Sequence, residues 1–221
     1  MDWLTGVIVA GVTSFVATNI DDILILTIFF SQVNDNFRPQ HIIAGQYLGF
    51  SLILLASLPG YFGGLILPKP WIGLLGFIPI IIGITKLFKP EKNSQEVQNV
   101  SIDLSSPTGT GLNSKVAHFF HPQTYKVAAV TFANGGDNIG IYVSLFASSN
   151  ALKLSIILLI FYLLIAVWCY LAYWLTRHSA TTKVLSNYGH ALVPFVLIAL
   201  GVFIIAENKS YTLLSLSFTH F

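Results

Sequence analysis

Two aspartates, Asp21 and Asp22, stand side by side in the otherwise apolar run "ATNIDDILIL", residues 17–26. A third, Asp137, has a similar setting in "FANGGDNIGIYV", residues 132–143. Thr18 lies three residues before Asp21 and Asn134 three before Asp137, a spacing that puts each pair on one face of a helix. Asn19 and Asn138 add amide oxygens, and Gly135 and Gly136, poor helix formers, would open the backbone and free its carbonyls. Carboxylate, amide, hydroxyl and carbonyl oxygens together suit hard divalent cations such as magnesium, calcium or manganese. Three acids overneutralise one divalent ion, which leaves room for a proton to replace the metal when it leaves. The expected ligand set is Asp21, Asp22 and Asp137, with Thr18, Asn134 and Asn138 as neutral donors. The plainer reading is that the acids pair with basic residues between helices. No Lys or Arg lies deep in an apolar segment, and Lys86 and Lys126 fall near segment ends. An aspartate at the centre of a membrane helix costs about 2.5–3.5 kcal/mol, so acids at such depth are read as functional.

Other candidates are weaker. Cys169 is a lone cysteine in an apolar segment, and such residues usually pack. His118 and His121, in "HFFHP", have i, i+3 spacing and suit an interfacial position more than a ligand role. His190 and Glu207 bracket the last apolar segment, where long side chains snorkel to the interface. The Gly-rich "GTGLNSK", residues 109–115, lacks the order of a phosphate-binding loop. No nucleophile–base arrangement stands out, so no enzymatic activity and no cofactor are expected.

The elements that would carry these residues are membrane helices. The chain of 221 residues is 54% hydrophobic and 9% charged, against about 25% charged in soluble domains. With a mean hydropathy of +0.74 this indicates a polytopic membrane protein. The net charge of +2 is too small to suggest nucleic-acid binding, and one cysteine excludes a disulfide framework or a multi-Cys metal cluster. The opening "MDWLTG" lacks a basic region, so the first apolar segment is expected to stay as a helix. Six segments approach the roughly 20 apolar residues a crossing needs: about 4–30, 42–67, 71–88, 127–146, 152–175 and 191–206.

Residues 89–123 form the only long polar stretch and read as a linker. They divide the chain into a first three-helix repeat, 1–88, and a second, 124–221. Asp21-Asp22-Ile23 aligns with Asp137-Asn138-Ile139, which sets Thr18 on Asn134 and Phe30 on Phe146. "GFIPIIIGI" and "LVPFVLIALGVF" each place a proline ahead of a glycine. An odd number of crossings per half turns the second half upside down, so the expected fold is all-α, six transmembrane helices as two inverted repeats, the plan of many secondary transporters. Arg38, Lys86, Lys89, Lys92, Lys115, Lys126, Arg177 and Lys183 crowd one side, against Lys69, Lys153 and Lys209 on the other. The positive-inside rule then places the linker in the cytoplasm and both termini outside. Trp3, Trp71 and Trp174 fall near segment ends, as interfacial tryptophans do.

At "TNIDDILILTIFFSQ" and "NGGDNIGIYVSLF" the sequence resembles the cadmium resistance transporter family, within the lysine-exporter superfamily. The six segments, the "IPIIIGI" of the third and the polar middle loop extend the likeness over nearly the whole chain. The resemblance implies a multi-pass protein of the cell's inner (plasma) membrane that exports cadmium and related divalent cations. It implies roles for Asp21, Asp22, Asn134, Asp137 and Asn138. Cadmium is soft and favours thiolate, while this donor set is oxygen, so the expected cargo is cadmium or a related ion such as manganese, calcium or another harder cation. With no nucleotide motif, a proton gradient is the expected driver. The expected partners are the cation and the lipid bilayer, without nucleic acid and with self-association left open. The alternative is export of organic cations or amino acids, which would want an aromatic cage near the acids. Tyr142 is the one obvious aromatic with a polar handle there.

Overall fold

Apolar runs with no polar face make helices buried or lipid-facing on every side, and this chain folds accordingly. The computed structural model describes residues 3–88, 121–176 and 179–210, without the side chains of 177–192. The elements are α1 (Trp3–Asn19), α2 (Asp22–Ser31), α3 (Pro39–Ile66), α4 (Lys69–Gly73), a 3-10 turn (Leu74–Gly76), α5 (Phe77–Phe88), α6 (Pro122–Asn134), α7 (Gly136–Ala147), α8 (Ala151–Leu175) and α9 (Ser179–Glu207). No strand occurs among the described residues. The 89–123 linker lies almost wholly outside them, as does His118.

Helix starts follow local chemistry. Arg38 and His121 are extended residues ahead of a proline in the first helical turn, where the missing N–H costs nothing. Asn150 caps α8 by accepting the Lys153 N–H at 2.9 Å.

Two of the expected segments are broken rather than continuous. The 4–30 segment is α1 and α2, bent by 57° at Ile20–Asp21. The 127–146 segment is α6 and α7, interrupted at Gly135. The third segment is α4, the 3-10 turn and α5 in series, and the sixth is the apolar end of the longer α9. By length and apolarity, Pro39–Ile66, Lys69–Phe88 and Ala151–Leu175 each suffice to cross a bilayer, and the bent pair α1–α2 makes a fourth.

The long α3 is the spine. It packs on α6 and α7, while α9 packs on α5, and α1 and α2 on α8. Glycines set the closest approaches. A Cβ on Gly60 would lie 2.3 Å from the Val143 carbonyl oxygen, and one on Gly64 2.2 Å from that of Ala147. Gly45 and Gly49 let α6 approach in the same way, the small-residue packing of membrane helices. The 3-10 turn ahead of α5 and α9 also approach on glycine, with a Gly201 Cβ 2.3 Å from the Gly76 oxygen. Phe15, Phe50, Tyr142 and Phe161 interlock in the core.

The outside is as apolar as the inside. Leu55, Phe62, Leu65, Ile66, Leu159 and Leu163 are all more than half exposed. In water such a surface would be an aggregation site, and in lipid it is the expected one. Trp3, Trp71 and Trp174 are exposed at helix ends. The protein is a membrane protein.

Candidate cation site at two helix breaks

Each break leaves carbonyls without helical partners on its N-terminal side and starts a new helix on the other. Asp22 lies in the first turn of α2 and Asp137 in the first turn of α7. An acid there complements the helix dipole by about 0.3–1 kcal/mol, which is smaller than its cost in the apolar interior. Capping alone therefore does not account for them.

Asp22 is buried, 3% exposed, and both its oxygens are engaged. Asn134 donates its amide to Oδ1 at 2.8 Å and Gln46 donates its amide to Oδ2 at 3.1 Å. The Thr131 hydroxyl in turn donates to Gln46 Oε1 at 2.6 Å. The network joins the first half of the chain to the second, since Asn134 and Thr131 come from α6.

A second network lies beside it. The Thr18 and Tyr142 hydroxyls are 2.6 Å apart, and the Asn19 amide donates to the Tyr142 oxygen at 2.9 Å. The carbonyl of Asn19, freed by the break, accepts the Trp168 indole N–H at 2.6 Å. Two buried polar atoms at the breaks have no hydrogen-bond partner: Asn19 Oδ1 and Asn138 Nδ2. An orphaned oxygen at the negative end of a helix is a place where a cation fits.

The structure divides the expected ligands. Asp22, Asn134, Thr18 and Asn138 are at the interface of the two breaks, and Asp21 ends the first break. Asp137 turns the other way. Its neighbour Asn138 and Tyr142, one turn on, face the core, whereas Asp137 lies on the side where α7 meets α5 and forms an ion pair with Lys86 at 3.1 Å. Successive residues of a helix point about 100° apart, which separates the two. The basic partner that sequence position seemed to deny Asp137 is thus supplied by the last turn of α5. The charges of Asp21 and Asp137 still act on Asp22, but no three His, Cys, Asp or Glu side chains converge as a ligand group among the described residues. The expected shared faces, Thr18 with Asp21 and Asn134 with Asp137, are interrupted by the breaks. Thr18 bonds Tyr142 instead, and Asn134 bonds Asp22.

The family model for cadmium resistance transporters matches residues 15–216, which takes in both breaks and both networks. The chain belongs to that family. No curated protein and no solved structure matches it. Family membership implies cadmium resistance transport.

As part of a transporter, the remaining candidates fall into place. His121 caps α6, its Nδ1 accepting the Gln123 N–H at 3.3 Å, and His41 Nδ1 accepts the Arg38 N–H at 3.2 Å. The two rings stack at 4.2 Å. Their Nδ1 lone pairs thus serve helix starts rather than a metal. Cys169 is buried in α8 within the aromatic core. A cavity of about 350 Å³ opens between α1, α7, α8 and α9, lined mostly by apolar groups and by the Lys153–Glu207 ion pair, away from the breaks. Sequence reading missed Gln46, Thr131 and Trp168. The available signal was Gln46 itself, an amide in the apolar run "IIAGQYLGF", where polar groups are expensive.

Proposed function

We propose that this transporter is a secondary-active exporter of divalent cations, driven by proton antiport, with its site at the paired helix breaks. The cargo is cadmium or a harder relative such as manganese or calcium. Asp22 is the central ligand; Asp21 and Asp137 supply further charge, and Thr18, Asn134 and Asn138 neutral oxygens. The observation that carries the reading is the buried Asp22 carboxylate, bridged by Asn134 between two broken helices at matching places in the two halves. In secondary transporters such broken helices bind ions near the midplane, with the halves as inverted repeats. The matched breaks, and the matched glycine crossing of α5 with α9, support six crossings in two inverted three-helix repeats.

In the mechanism, cation and proton compete for the same carboxylate oxygens. Release of the cation on one face is coupled to proton uptake, and rocking of one repeat against the other exposes the site alternately. Lys86 supplies a positive charge to Asp137 when the cation is absent.

Export of organic cations or amino acids would need an open aromatic pocket by the acids. Tyr142 is fully buried and its hydroxyl is already bonded by Thr18 and Asn19, which favours a small cargo. Flux of cadmium, manganese, calcium and magnesium into proteoliposomes, each measured for the native chain and for Asp22→Asn, tests the reading. It fails if no divalent cation moves, or if Asp22→Asn transports as well as the native chain.

A further inference from the structure

Each oxygen of Asp22 accepts an N–H hydrogen bond, so two of the positions around the carboxylate are held by donors where a bound cation would want oxygens. An amide carries its oxygen and its nitrogen on opposite sides, and a half-turn exchanges them. For a buried amide, a half-turn normally strands the group on the far side, at about 1–3 kcal/mol. Gln46 escapes that cost. Its far-side partner is the Thr131 hydroxyl, which donates to Oε1 at 2.6 Å here and, as a hydroxyl, can equally accept from Nε2. The same half-turn takes Nε2 off Asp22 Oδ2 and puts Oε1 in its place.

We propose, on the reading of the site given above, that Gln46 is a ligand of the transported cation, turned from donor to acceptor by rotation of its amide against Thr131. The carboxylate then faces one amide oxygen in place of one N–H donor, and the orphaned Asn19 Oδ1 belongs to the same helix break. Gln46 and Thr131 are 4% and 3% exposed, so the pair is shielded from bulk solvent. Amide oxygens are hard and neutral, and they select for manganese and calcium over softer ions without adding charge. Gln46 also stands on α3, which packs on both α6 and α7, so its rotation links ion binding to the helix on which the second half rests.

The test is calorimetric titration of the purified full-length protein with manganese and with cadmium. Gln46→Met keeps an unbranched chain and replaces the hard oxygen with a soft thioether. It should weaken manganese about tenfold or more while sparing cadmium, moving the ratio of the two dissociation constants toward cadmium by about that factor. Gln46→Glu, which supplies a charged hard oxygen, should move the ratio the other way, and carries the test by itself if the methionine variant does not fold. If Gln46 only props Asp22, both metals weaken by one factor in each variant and the ratio stays put, which overturns the assignment. Asp22→Asn separates the two levels. Native-like binding of both metals there would sink the site itself, whereas loss of binding there with an unmoved ratio at Gln46 would sink the Gln46 proposal alone.

Discussion

Asp22 is the one carboxylate of the three that is sealed inside the protein, and its surroundings set what each substitution does. Asp22→Asn keeps the shape and removes the charge that a dehydrated cation requires. Transport in proteoliposomes should be abolished while the protein still elutes as a single folded species. Asp137→Asn should also abolish transport, and it releases Lys86 from its 3.1 Å ion pair. Retention of full flux in both variants would remove the acids from the mechanism. Trp168→Phe leaves the Asn19 carbonyl without its indole donor. An unsatisfied buried carbonyl costs about 1–3 kcal/mol, so this variant should melt at lower temperature even though it touches no acid. Cys169→Ser should have little effect on flux, because the thiol is packed in the apolar core.

At the scale of elements, closeness of backbones decides tolerance. Gly63 has nothing within 4 Å of where its Cβ would be, while its neighbour Gly64 would meet the Ala147 carbonyl at 2.2 Å. Gly63→Ala should therefore hold or raise stability in a thermal assay, by up to about 1 kcal/mol of helix propensity, and Gly64→Ala should destabilise by about 1–3 kcal/mol, as overpacking against backbone does. Equal behaviour of the two would show that α3 does not lie against α7 as described. The second break has its own test. A Cβ at Gly136 meets nothing within 4 Å, so Gly136→Ala should fold and gain about 1 kcal/mol of helix propensity. If the interruption between α6 and α7 serves ion binding, that gain should come with slower transport.

At the scale of the whole molecule, helix ends fall into two sets. His41 and His121 meet at one end, while Gly64 meets Ala147, Ser210 bonds Pro70 and Lys153 pairs with Glu207 at the other. On the charge count, the proposed orientation has the first set in the cytoplasm. In a Cys169→Ser background, Asp35→Cys should be labelled only from the cytoplasmic face and Ala151→Cys only from outside. The reverse pattern would invert the orientation. The proposed proton coupling has its own test. Protons and cations compete for carboxylate oxygens, and ligands must lose their protons to bind metal, so affinity should fall as pH falls. A proton ionophore should stop uphill accumulation in proteoliposomes. Affinity that is flat with pH, or accumulation that persists with the gradient collapsed, would point to another coupling ion.

What the sequence determined by itself was everything that depends on composition and local chemistry. Its apolar content dictated a helical membrane protein, because only internally bonded backbone survives in lipid. Asp21, Asp22 and Asp137 were marked alike by their place in apolar runs, without reference to any neighbour, and the Gly135–Gly136 pair marked an opening of the backbone where the structure has a break. The linker and the six-span inverted plan are expectations of the same reading; the linker lies almost wholly outside the described residues, and the plan belongs to the proposal. What only tertiary structure decided was which side chains meet across helices. Asp137 and Asn138 are adjacent in sequence, yet the helical turn sends one toward Lys86 and the other into the core. Gln46 and Thr131 are far apart in the chain and bond because glycines let α3 lie against α6. The bend at Ile20–Asp21 carries no glycine or proline, so it is held by packing and by the Trp168 bond to Asn19. Spacing along one helix predicts partners on that helix, and here the partners of Asp22 come from two others.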